Sequence, residues 1–115
     1  PSFFKILRLM MLLLCSVHFF ACAYWRTKLE CNTRSDIEDF LEPHLLSLDD
    51  LDGVYVMCCY YVLTVFTTVG FGDVTSVNTG ERIFTFFLFG AAVCIFGTLI
   101  GQLNDIVATT QRKSD

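Results

Sequence analysis

Three apolar stretches alternate with two polar ones along the chain. Residues 6–25 form the first, with Lys5 and Arg8 at one end and Tyr24 and Trp25 at the other. As helix, these 20 residues rise about 30 Å, the thickness of a bilayer's hydrocarbon core. The aromatic pair suits the level of the lipid headgroups. Residues 83–103 form a run of similar length without a single charge, followed by Arg112 and Lys113. Between the two, residues 54–71 are also uncharged. Helix reaches only to about Thr67 there, because the glycines of "VGFG" break it. What is left, about 14 residues, rises roughly 21 Å and is too short to cross. A half-length helix followed by extended backbone reads as a re-entrant segment, tolerated in a membrane only when buried in protein or lining water.

The pattern predicts an all-α membrane protein with two transmembrane helices in one domain, residues 1–115. An outer helix spans about 3–26, a polar stretch about 27–52, a short helix about 54–67, an irregular segment 68–73 and an inner helix about 80–110. Two spans put both termini on one side, and the positive-inside rule makes that side the cytoplasm, since Lys5, Arg8, Arg112 and Lys113 all lie there. The polar stretch and the short 74–80 loop then face outside. The first run is too long for a signal core, and "ACAYWRTK" at its end offers no small-residue cleavage site.

Composition agrees with this class. The chain is 54% hydrophobic and 17% charged, against roughly 25% charged in a soluble domain. The net charge of −4 is unevenly spread: residues 26–52 hold eight of the twelve acids and three of the eight basic residues. That loop reads as a solvated turret whose carboxylates enrich cations weakly and in a salt-dependent way. No basic patch exists, which excludes nucleic acid as a partner. Within the loop, "SDIE" at 35–38 reads as a capping box that starts a short helix at Asp36, limited by Pro43. "LDDLDG" at 48–53 leads into the short apolar helix. The six cysteines show no disulfide or zinc spacing and read as packing residues. No GxSxG, HExxH or His/Cys pairing is present, and "GFGDVT" lacks the third glycine of a dinucleotide loop, so neither an enzyme nor a cofactor is expected.

The candidate chemistry lies in "TTVGFGD", residues 67–73. An ion entering a membrane loses its hydration shell, at a cost on the order of tens of kcal/mol. Backbone carbonyls can replace that shell if several strands converge with their C=O groups inward. Carbonyls of an ordinary extended strand alternate sides. Turning them all one way requires left-handed dihedrals at every second residue, and Gly70 and Gly72 are spaced for it. One chain offers one such strand, so a ring needs several copies.

The segment resembles the selectivity filter of potassium channels, four TVGYG-type loops around one axis, and the order outer helix, turret, pore helix, filter, inner helix is similar over essentially the whole chain. "HFFAC" at 18–22, "IFGTLIGQLNDIV" at 95–107 and the GFG filter with Phe71 in place of Tyr resemble the ether-à-go-go-type and cyclic-nucleotide-regulated voltage-gated channel superfamily. Two positions depart: Phe19 stands for the usual Trp, and Asp73 for a frequent Asn. The resemblance implies an ion channel pore domain conducting K+ passively, as a homotetramer or with related pore subunits, in the plasma membrane. It implies that the carbonyls of Thr68, Val69, Gly70 and Phe71 bind the permeant ion, with Gly72 completing the filter and the Thr68 hydroxyl the innermost site. Asp73 stands at the outer mouth, Thr64 and Thr67 support the filter, and the pore helix aims its negative end at a central cavity. Phe71 lacks the hydroxyl with which Tyr bonds the pore helix, which implies a filter more prone to collapse, with Thr64 as a partial polar brace. The alternatives are a poorly selective monovalent cation pore and a non-conducting subunit that co-assembles with others.

Other positions carry open readings. His18, inside a span, either bonds a neighbouring carbonyl or is functional. Gly90, Gly97 and Gly101 are candidates for a gating hinge or for close packing between helices. Phe96 and Gln102 are candidates to face a cavity. Glu81 and Arg82 read as a surface ion pair. A start without Met and an end just after the inner helix read as a fragment, with voltage-sensing and cytoplasmic regulatory domains lying outside it.

Overall fold

The computed structural model describes residues 2–75 and 77–114. Four helices follow one another: α1 (Ser2–Cys31), α2 (Arg34–Leu41), α3 (Leu51–Phe66) and α4 (Thr79–Ser114), with a single 3-10 turn at Glu42–His44. No strand occurs among the described residues. α1 and α4 are long and apolar enough to cross a membrane, whereas α3, at 16 residues, is not.

α1 and α4 pack antiparallel along two matched stripes. On α1 the stripe runs through Val17, Ala21, Tyr24 and Lys28, with Leu9 buried further towards the N-terminus; on α4 it runs through Glu81, Thr85, Leu88 and Ala92. Both stripes advance by three or four residues, the spacing that keeps side chains on one helix face. α3 lies against both. Its buried Val54, Met57, Cys58, Tyr61, Val62 and Phe66 join the same core, and Phe66 meets Phe20 edge to face with centroids 5.7 Å apart. Tyr24 touches α3 through Tyr61, at 4.7 Å, and α4 through Phe84, at 6.2 Å. The opposite faces of the long helices remain apolar and open, with Phe86 and Phe87 each 75% exposed. A helix apolar all round belongs in lipid or against further protein.

Three elements differ from the sequence reading. α1 was expected to end near residue 26 and runs on to Cys31. Its last turn is held by an Arg26–Glu30 pair at 2.8 Å and by the Thr27 hydroxyl donating to the Ala23 carbonyl at 2.9 Å, and Lys28 is buried there rather than solvated. The capping box lies two residues earlier than "SDIE": Thr33 caps α2, accepting from the Asp36 amide while Asp36 accepts from the Thr33 amide. That frame buries Ile37 and Leu41 against the core. Ser76, within the expected 74–80 loop, lies outside the described residues.

The third difference is Glu81. It makes no surface pair with Arg82; it is 1% exposed and accepts from the Lys28 ammonium at 2.5 Å. The ammonium also sits 3.6 Å from the centroid of the Phe40 ring on α2, a cation–π contact strengthened by desolvation. One buried pair thus joins α1, α2 and α4.

Lys28→Met, which strands the Glu81 charge, is expected to destabilise the fold by about 3–5 kcal/mol. Lys28→Met with Glu81→Met is expected to recover most of that loss. Thermal unfolding of the detergent-solubilised protein measures both.

Candidate functional site

The segment 67–73 leaves α3 where Thr67 caps it, the Thr67 amide donating to the carbonyls of Leu63 and Val65. Two further amides are drawn back to the same helix end: Thr68 N–H donates to the Val65 carbonyl and Gly70 N–H to the Thr64 carbonyl, each at 3.1 Å. The inner part of the segment is therefore hung on orphan carbonyls that a helix C-terminus always presents.

Positive φ occurs at Thr68 (63°), Gly70 (56°) and Gly72 (84°), at every second residue. Glycine takes that region without a Cβ penalty. Threonine does not, so Thr68 is a strained position of the kind that gathers at functional sites. The composition pointed to the two glycines; nothing in the residue type announced Thr68. A Cβ added at Gly70 or Gly72 would meet nothing within 4 Å, so these glycines answer a backbone demand and not a steric one.

The side chains of the segment make few contacts. The hydroxyls of Thr64 and Thr67 donate to the Tyr61 and Leu63 carbonyls, each at 2.7 Å, and the Thr68 hydroxyl donates to the Thr67 carbonyl at 2.6 Å. Thr64 thus reaches the segment through its backbone carbonyl, while its hydroxyl bonds within α3. Residues 67–73 are all exposed in a single chain.

A residue absent from the sequence reading stands behind the outer half. The Tyr60 ring lies parallel to that of Phe71, 6.2 Å between centroids and 4° between planes. The Tyr60 phenol is also a hydrogen-bond partner of the Asp73 side chain. Phe71 and Asp73 therefore share one partner on α3. The signal available was an aromatic residue two turns before the helix end, the place from which a ring reaches the returning strand.

Beside the segment runs an open groove of about 860 Å³. Thr64, Thr68, Gly70 and Gly72 line one side and Phe86, Phe89, Val93, Phe96 and Gly97 of α4 the other. Phe96 faces this groove; Gln102 lies outside it. A Cβ added at Gly90, Gly97 or Gly101 would meet nothing within 4 Å, and α4 runs through all three unbroken. Close packing inside one chain is thus not their role. His18 bonds no carbonyl: its Nδ1 lies 2.6 Å from the Tyr55 hydroxyl of α3. No group of His, Cys, Asp and Glu suited to a metal ion forms among the described residues.

Comparison with known proteins agrees with the geometry at family level. The ion transport protein family matches residues 1–115. The "Potassium channel AKT1" of Arabidopsis thaliana is 32% identical over 106 residues, 87% of this chain and 12% of that protein. The "Cyclic nucleotide-gated cation channel" of Ictalurus punctatus is 28% identical over 108 residues, 94% of this chain and 15% of that protein. The "Potassium voltage-gated channel protein eag" of Drosophila melanogaster is 29% identical over 65 residues, 56% of this chain and 6% of that protein. The chain therefore spans a small part of these relatives. They belong to the superfamily that "HFFAC" and the inner-helix motif resemble.

Gly70→Ala and Gly72→Ala are each expected to strain the segment by about 1–2 kcal/mol through dihedrals alone. Amide hydrogen exchange should quicken at 68–73 while thermal unfolding of the helices stays unchanged.

Proposed function

The chain belongs to the ion transport protein family, and from that premise we propose that it is the pore module of a potassium-selective channel. With two apolar helices it is an integral membrane protein. The observation that carries the selective reading is the alternation of positive φ at Thr68, Gly70 and Gly72. An extended strand with that alternation brings successive carbonyls onto one side, where they replace the hydration shell of a bare cation.

In this reading Thr68, Val69, Gly70 and Phe71 supply the carbonyls, and Gly72 lets the strand leave the filter. The Thr68 hydroxyl, now donating to Thr67, keeps its lone pairs for an ion at the innermost site. Asp73 marks the outer mouth. α3 enters the membrane and the strand 67–73 returns to the same side, while the C-terminal carbonyls of α3 favour a cation in the cavity below. K+ is the permeant ligand, and no resident cofactor is needed.

The exposed 67–73 strand and the open groove beside it support assembly of four copies, each covering its neighbour's groove. Related pore subunits can take the same place. Gly90, Gly97 and Gly101, where an added Cβ would meet nothing within the chain, are then hinge candidates on α4 or contact points with a second copy. The antiparallel arrangement of α1 and α4 supports both termini in the cytoplasm, with Lys5, Arg8, Arg112 and Lys113 together, in the plasma membrane. The likeness to the fish cyclic nucleotide-gated cation channel favours a second reading, a poorly selective monovalent cation pore.

Reconstituted in liposomes under a potassium/sodium gradient, the chain is expected to give a reversal potential near the potassium limit, abolished by Gly70→Ala. Equal passage of both ions would establish the second reading. No current from a folded tetramer would assign the chain to a non-conducting subunit or to a pore shut without further domains.

Phe71 adds an expectation of its own. Phe71→Tyr supplies a hydroxyl behind the filter and should lengthen conducting intervals in single-channel records at low outside potassium. Unchanged intervals would mean that the Tyr60 stack already holds the ring.

A further inference from the structure

The inner end of the filter segment is hung on α3, yet among the described residues no backbone amide after Gly70 returns to a carbonyl of that helix. Five residues beyond Asp73 the chain meets a polar cluster built on the C-terminal turn of α1. The Asn78 amide nitrogen donates to the Cys31 carbonyl at 3.2 Å and to Asn32 Oδ1 at 3.1 Å. Asn78 Oδ1 accepts from the Glu81 amide at 3.0 Å, starting α4. Asn32 in turn donates to Glu81 Oε2 at 3.1 Å and to the Lys28 carbonyl at 3.0 Å, and Lys28 closes the circuit on Glu81 Oε1. Val74, 4% exposed, anchors the chain just beyond Asp73 in the core. Gly80 lets the first turn of α4 approach α1, since a Cβ there would come within 2.5 Å of Cys31 Sγ.

We propose that Lys28, Glu81, Asn32 and Asn78 are positioning residues for conduction: by fixing at Asn78 the strap that follows Asp73, they hold the outer end of the filter in its conducting arrangement. The proposal rests on the potassium-pore reading. The charges are central to it. Lys28 and Glu81 are both 1% exposed within one chain, so the clamp is formed before any second copy arrives. Salt screens such a pair far less than a surface one. A clamp of this kind has two separable effects, on the stability of the helix pair and on the strap, and only the second should respond to the permeant ion. An ion that binds the conducting arrangement alone stabilises it by mass action.

The separating variant is Asn78→Ser. Serine still caps α4 but cannot donate to Cys31 and Asn32. Glu81→Gln, which keeps the shape and removes the charge, is the second variant. Both are recorded as single channels from the reconstituted chain at low and at raised outside potassium, beside the parent.

The expected result is a roughly three- to tenfold rise in the ratio of nonconducting to conducting time at low potassium, the effect of losing one net hydrogen bond. Raised potassium should reverse it, and the reversal potential should stay that of the parent. Parent-like records in both variants would overturn the proposal. A rise that potassium does not reverse, or failure of both variants to assemble, would also overturn it, because the cluster would then serve the helix pair alone. A parent that passes sodium and potassium equally would instead overturn the pore reading.

Discussion

Backbone without a partner is the constraint on which this structure turns. In hydrocarbon an amide or carbonyl left unpaired costs several kcal/mol, and residues 67–73 form no regular element. Their polar groups are admissible because α3 stops short. Its last carbonyls have no intrahelical partner and take up the amides of Thr67, Thr68 and Gly70. On the pore reading proposed above, the remaining carbonyls would then be left to meet a cation. A helix that ran the full width of the membrane would have closed those bonds within itself and left nothing for an ion. In that reading the shortness of α3, 16 residues, is its functional property.

The same logic assigns work to the two long helices. Their facing stripes, Val17 to Lys28 and Glu81 to Ala92, mix small residues such as Ala21 and Ala92 with large fully buried ones such as Tyr24 and Leu88, and α3 packs against the same core. Without a hydrophobic force between helices in lipid, such contacts hold by close packing and by hydrogen bonds. At the end where the stripes leave hydrocarbon, packing gives way to charge. Lys28 and Glu81 occupy the next positions in the stripe spacing and close it with an ion pair that a third element, Phe40 of α2, covers. The acidic stretch is in this respect more than a solvated turret: its first helix seals a buried charge.

How much of this was legible in the residues follows from how far each signal reaches. The two spans, the short third helix and the demand for positive φ at Gly70 and Gly72 are local properties, carried by run length and by glycine spacing, and they are found as expected. The start of α2 was misplaced because Thr33 and Ser35 each have an acid three residues on. Only the burial of Ile37 and Leu41 decides between the frames, and burial is a tertiary fact. Glu81 was misread for the same reason. Arg82 is its neighbour in sequence, but its partner is 53 residues away. Tyr60 escaped because its contacts, Phe71 and Asp73, lie across a turn whose path no local pattern gives.

What the single chain leaves open is as informative as what it closes. Residues 67–73 stay exposed, the groove beside them is lined on its α4 side by phenylalanines, and a Cβ added at Gly90, Gly97 or Gly101 would meet nothing. A soluble domain would not keep an apolar groove of about 860 Å³ in water, since exposed patches of that kind mark interaction surfaces. In lipid the groove is tolerable, but the strand is not: its free carbonyls require protein or water opposite them. The cover must therefore bring polar groups to the strand and apolar ones to the groove at the same time. On the pore reading proposed above, a second copy of this chain would supply that cover, and rotation about a common axis would repeat the match until the ring closes. The strained Thr68 fits that proposal, because strain of this kind persists only where surroundings over-determine it.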